Sequence, residues 1–127
     1  MPDMHLYEYA IIRYVPHIER EEFINVGLVM MCKRKRWMRT SVQLDYNRIK
    51  PLRPPHSEQE IASQLDSFRL ISDGTAEGGE IASLDVTERF RWLSAVRSAC
   101  IQTSRPHPGK CSDLDATFDR LFDELVR

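Results

Sequence analysis

Residues 23–32 read Phe23-Ile24-Asn25-Val26-Gly27-Leu28-Val29-Met30-Met31-Cys32, an apolar run broken only by Asn25 and Gly27. Alternation is absent, so a strand here would be buried on both faces and central in its sheet. Gly27 in mid-strand suggests a bulge or a close backbone approach. Asn25 brings an amide that must find a partner in an apolar setting. The run is too short to cross a bilayer, which takes about 20 apolar residues.

The neighbours of this run complete a meander. Upstream, His5 to Val15 reads as a strand rich in residues that suit a pleated surface: Tyr7, Tyr9, Ile11, Ile12 and Tyr14. Pro16 ends it, and Glu19 to Glu22 form a charged connection. Downstream, Lys33-Arg34-Lys35-Arg36 is a polar hairpin connection. Trp37 to Leu44 then alternates, with Met38, Thr40, Val42 and Leu44 on one side. Three strands with short links imply antiparallel pairing.

Helical signals follow. Ser57-Glu58-Gln59-Glu60 is a capping box, and Ile61, Leu65 and Phe68 continue at helical spacing until Ser72-Asp73-Gly74. Thr75 to Glu80 is a glycine-containing loop. A second helix is expected over about 86–95, capped by Asp85, with Phe90 and Leu93 inward. Ala99 to Ser104 is a candidate fourth strand. Arg105-Pro106-His107-Pro108-Gly109 reads as loop, because two prolines bracket the histidine. The last helix starts at Ser112, and Leu114, Phe118, Leu121, Phe122 and Leu125 form its apolar stripe. The expected fold is α+β in a single domain, 1–127: an antiparallel sheet of three to four strands with about three helices packed against it.

The 127 residues carry 18 basic and 19 acidic side chains, a formal charge of −1. That total excludes a uniformly basic nucleic-acid coat protein and an acidic disordered tail. It hides a segregated pattern. Residues 1–32 carry −3, 33–53 carry +7, 57–88 carry −7, 89–112 carry +5 and 113–127 carry −3. The 33–53 block is either a phosphate-binding face or a solvated hairpin that pairs with the chain's own acidic helix. Only Trp37 and Tyr46 supply aromatic rings within it, which weakens a base-stacking reading. The three cysteines, Cys32, Cys100 and Cys111, are odd in number and widely spaced, and the first residues lack a basic and then apolar leader. A reducing cytoplasm is the expected location.

No GxxxxGK[ST], GxGxxG, HExxH or GxSxG motif occurs. His107 and Cys111 are four apart but separated by Pro108 and Gly109, so no metal site is expected, and no cofactor. Cys100, in an apolar context, reads as core. The stretch from Arg89 to Gly109 holds four arginines and His107 but no acid. Arginine forks grip phosphates and carboxylates, and a loop histidine titrates near neutrality. Arg89, Arg97 and His107 would make an anion pocket if the helix and the following strand converge. Arg13, a charge in an apolar strand, lies either at a sheet edge or in that same pocket. The opposing reading pairs these arginines with acids elsewhere. Glu22, Asn25 and Gly27 read as architectural.

Three blocks together are similar to a known family: Tyr9-Ala10-Ile11-Ile12-Arg13-Tyr14-Val15-Pro16, then Glu22-Phe23-Ile24-Asn25-Val26-Gly27, then Glu88-Arg89-Phe90-Arg91-Trp92-Leu93 with Arg97, Ser98 and Gln102. They resemble the bacterial family called domain of unknown function 3037 over nearly the whole chain. The motif residues are Glu22, Asn25, Gly27, Trp92 and Gln102, with the His107-x-Gly109 element. The chain departs from the pattern at Pro108-Gly109-Lys110-Cys111, where a threonine and an apolar residue would be usual, and at Val96, where a proline would be. The resemblance implies no assigned chemistry. It does imply genes encoded beside a HipA-like kinase.

Three functions compete. The first is a non-catalytic accessory or interaction module, with a HipA-like kinase as partner; segregated charge suits complementary docking. The second is binding or processing of a phosphorylated small molecule by Arg13, Arg89, Arg97 and His107. The third is nucleic-acid binding through residues 33–53, with steep salt dependence. Without a catalytic signature, the balance leans away from an enzyme and toward the first.

Overall fold

The computed structural model describes residues 3–95 and 99–127. It is α+β. Strands β1 (His5–Tyr14), β2 (Ile24–Cys32) and β3 (Trp37–Val42) form an antiparallel meander. The short helix α1 (Tyr46–Ile49) follows, then α2 (Glu58–Asp73) and α3 (Val86–Leu93). Strands β4 (Ile101–Thr103) and β5 (His107–Cys111) come next, and α4 (Leu114–Leu125) closes the chain. No helix among the described residues is long and apolar enough to cross a membrane.

The sheet order is β3-β2-β1-β4, with β5 also on β1. β4 and β5 lie end to end along one edge of β1, both antiparallel to it. Between the pairs Ile12–Thr103 and Tyr9–His107, β1 has two residues and the edge strand has three. That extra residue makes a bulge. Ser104 manages it: its N–H donates to the Ile11 carbonyl at 2.8 Å, and its Oγ accepts from the Ile11 N–H at 2.9 Å. The expected loop over 105–109 is therefore half strand. The prolines did not exclude it because β5 is an edge, and an edge strand can turn a missing N–H away from its only neighbour.

β2 is covered on both faces, as its unbroken apolar run requires. On one side Val26, Val29 and Met31 join Ala10, Ile12 and Tyr14 of β1 under Ile61, Leu65, Phe68 and Ile71 of α2 and Val86, Phe90 and Leu93 of α3. On the other side Leu28 and Met30 meet Phe118, Leu121, Phe122 and Val126 at α4. The result is helices, sheet, helix in three layers. Val26 and Val29 share a face although three apart, because the register of β2 on β1 shifts between Ile12 and Arg13 and leaves Val26 as the extra residue. This is the bulge anticipated at Gly27. The Val26 carbonyl accepts from Gln43 N–H at 2.7 Å instead.

The capping box of α2 closes both ways, Ser57 Oγ accepting from Glu60 N–H and Glu60 accepting from Ser57 N–H. Gly74, in the left-handed region, ends the helix. α4 is capped by Asp113, which accepts from Ala116 N–H at 3.0 Å, one residue beyond the expected Ser112. Both spacings offer an oxygen to the first turn, and an aspartate holds its acceptor charge there. α3 ends at Leu93, two residues short of the expected Ala95.

Candidate functional site

Successive residues of β1 point to opposite faces. Tyr7, Tyr9 and Ile11 pack toward α4, whereas Ala10, Ile12 and Tyr14 pack toward α2 and α3. Arg13 therefore shares the α4 face. It pairs across the sheet with Asn25 on β2 and Gln102 on β4. Its guanidinium stacks on the Phe23 ring at 4.1 Å, and its Nε is buried without a partner. It is not at an edge, because β1 is a central strand. His107 is on the same face, four β1 positions away, exposed and with its ring 5.2 Å from Tyr9. Arg89 belongs to α3 on the other side of the sheet. The fourth member of the expected constellation, Arg97, lies outside the described residues, as does Val96. Arg13, Arg89 and His107 thus do not converge, because α3 packs on the face opposite the one Arg13 occupies.

The motif residues occupy separate places in the fold. Asn25 Nδ2 donates to the Leu125 carbonyl at 3.1 Å, tying β2 to the end of α4, while its Oδ1 is buried and unpartnered. Gln102 Nε2 donates to the Ala99 carbonyl at 2.8 Å. Glu22 pairs with Arg20 at 2.6 Å at the surface, and that guanidinium holds its carboxyl below the usual range. A Cβ on Gly27 would stand 2.8 Å from the Ser41 carbonyl oxygen. Trp92 is largely exposed on α3.

Tyr14, fully buried, shares a 2.8 Å hydrogen bond between its hydroxyl and His56 Nδ1. Burial pushes its pKa to about 12, with Cys100 adding to the shift. Cys100, expected in the core, is instead half-buried and packs against its margin, with its Sγ donating to Gln64 Oε1 at 3.1 Å. Burial raises its thiol pKa, the direction opposite to nucleophile activation.

The basic 33–53 block divides. Arg39 on β3 pairs with Asp115 and Asp119 of α4 at 3.1 and 2.9 Å and covers the Phe118 ring. Arg48 donates to the Val126 carbonyl at 2.9 Å. These cations hold the last helix, not α2, whose Asp66 and Asp73 are taken by its own Arg69. The hairpin cations Lys33, Arg34 and Arg36 are exposed and form no ion pair among the described residues. Together with Arg89 they line a cleft of about 920 Å3. Its exposed apolar residues are Met4, just before β1, and Leu6 on it, 54% and 67% exposed. Asp85, Val86 and Thr87 at the start of α3 complete it. Asp85 caps that helix by accepting from Glu88 N–H, so the helix end is already satisfied by a carboxylate.

The whole chain, cleft and motif residues together, can now be placed. It belongs to the family described as "Protein of unknown function (DUF3037)". The family model matches residues 9–126, nearly the full length. No curated protein and no solved structure matches the chain. Met4 and Leu6 lie before the part of the chain that the DUF3037 model covers, whereas the hairpin and α3 lie within it. Sequence reasoning found the cations of the cleft but missed Met4 and Leu6. The available signal was parity: Leu6 shares the face of Ala10, Ile12 and Tyr14 but sits beyond the helices that cover them.

Proposed function

We propose that this chain is a non-catalytic accessory module that docks a partner protein through the cleft between the β2–β3 hairpin and α3. The observation that carries the reading is the set of exposed cations without ion pairs, Lys33, Arg34 and Arg36, ringed around exposed Met4 and Leu6. Exposed apolar surface rimmed by polar groups marks interaction sites, and uncompensated charge steers a complementary partner to them. The family resemblance makes a HipA-like kinase the first partner to test.

Co-expression of the full chain with a HipA-like kinase encoded beside it, followed by size-exclusion chromatography, tests the reading. A complex that survives at micromolar concentration is expected. A chain with Lys33, Arg34 and Arg36 all changed to Glu is expected to elute alone with an unchanged circular dichroism spectrum. Separate elution of the two unmodified proteins at micromolar concentration would sink the reading.

A further inference from the structure

The cleft also says what kind of surface fits it. We infer that its occupant is a short segment of a partner protein in which acidic side chains flank one large aliphatic side chain. This rests on the docking reading above and gives it a chemistry.

Three observations lead there. First, the sign: Lys33, Arg34 and Arg36 are exposed and unpaired, while the two other charged lining groups are engaged, Arg89 with the end of α2 and Asp85 with the α3 backbone. Carboxylates are therefore the complement, and the exposed Arg34 and Arg36 can take them as forks. Second, the apolar lining: Met4 and Leu6 are aliphatic and water-exposed, and an aliphatic side chain is the group that removes both from water. Fully burying one such side chain is enough to anchor a weak motif. Third, what is missing from the lining: none of the cleft residues is aromatic. Single-stranded nucleic acid is held by base stacking on aromatic rings as well as by charge, so the cations alone would give a strand nothing to stack on. The size agrees, since sites that enclose a drug-sized ligand run roughly 300–1,000 Å3. A short segment fits that volume.

Panning the full chain against a phage-displayed library of random twelve-residue peptides tests this. Expected is enrichment of peptides with two or more Asp or Glu around one Leu, Ile or Met. A fluorescein-labelled peptide made from that consensus should bind saturably. Its affinity should fall about tenfold or more with Leu6→Asp and with Arg34→Glu, tenfold being 1.4 kcal/mol, and should change less than threefold with Lys50→Glu, which is outside the cleft. Circular dichroism of each variant confirms that it is folded, and Leu6→Ser serves if Leu6→Asp is not. No enrichment, enrichment without acids, or binding indifferent to Leu6 overturns the inference. So does tighter binding of a labelled single-stranded oligonucleotide than of the peptide, or displacement of the peptide by millimolar ATP. If the kinase complex forms and depends on the hairpin cations while panning fails, the docking reading stands and the linear segment falls. If the kinase elutes alone while the peptide binds as described, the kinase falls and the segment stands.

Discussion

Arg89 Nη1, on α3, donates to the Ser72 carbonyl at 2.9 Å and to the Ile71 carbonyl at 3.2 Å. One guanidinium thus closes the end of α2 from outside that helix. The last four carbonyls of a helix have no partner within it, and a cation there also opposes the negative end of the helix dipole. Gly74 leaves the space: a Cβ on it would meet Arg89 Nη1 at 2.7 Å. Arg89→Ala is expected to lower stability by about 1.5–3 kcal/mol, the range for hydrogen bonds to charged groups, with Arg89→Lys recovering part of it. Urea unfolding checks this; an unchanged midpoint would show that water replaces the guanidinium at no cost. Because Arg89 also borders the cleft, the hairpin cations, not Arg89, are the clean positions for testing binding.

Gly27, on β2, sits between close neighbours on β3 and β1. A Cβ there would lie 2.8 Å from the Ser41 carbonyl oxygen of β3, 3.0 Å from Val42 Cγ1 and 3.1 Å from Ile12 Cδ1. The first neighbour is backbone and cannot rotate away. Gly27→Ala should therefore cost about 1–3 kcal/mol, as overpacking does. At Gly109 the obstacle is the Tyr7 ring, a side chain that can turn, so Gly109→Ala should cost less. Thermal melts of the pair decide it: an equal or larger loss at Gly109 would mean that Tyr7 is as fixed as the β3 backbone.

Much of this arrangement is readable before folding, and the reason is local. The unbroken apolar run of β2 requires cover on both faces, whatever provides it. Ser57 and Glu60 specify a helix start by contacts three residues apart. The failures are of another kind. Parity along β1 puts Arg13 on the face opposite Ile12 and Tyr14, but nothing local tells on which face α3 will pack, so Arg13 and Arg89 looked able to meet. Two prolines hid β5, because the rule that excludes proline from strands is relaxed at an edge, and being an edge is a property of the finished sheet. The cleft draws Leu6, Arg34 and Arg89 from three separate segments, and only its cations announced themselves by charge.

Tyr14 predicts an alkaline limit. Its hydroxyl is buried against His56, and burial raises its pKa from 10.0 to about 12. Between those values the unfolded chain has released the proton and the folded chain has not. The native state then binds more protons, so stability falls as pH rises. The contribution is complete below pH 10 and is lost progressively toward pH 12. Tyr14→Phe should lower stability at neutral pH by about 1 kcal/mol, the worth of a typical hydrogen bond, and flatten the decline above pH 10. Chemical denaturation at pH 8, 10 and 11 gives the comparison. Parallel declines in both proteins would assign the alkaline loss to other groups, such as Tyr7 and Cys100, whose pKa values burial also raises.

Ser104 stands in for a length of missing ladder. Its buried Oγ accepts from the Ile11 N–H at 2.9 Å and donates to the Arg105 carbonyl at 3.0 Å, at the bulge where β4 gives way to β5. Ile11 lies on a central strand, so its amide has no other way to reach water. Ser104→Ala removes one oxygen but strands a buried N–H, whose desolvation costs about 1–3 kcal/mol. The loss should be focused as well as global. Amide exchange at Ile11 should accelerate far more than at Ile12, whose β-ladder position the hydroxyl does not support. Uniform acceleration across β1 would mean that Ser104 only adds to overall stability. An unchanged Ile11 rate would mean that the bulge admits a water in its place. A focused acceleration would mark Ser104 as the side chain that joins two short strands into one edge.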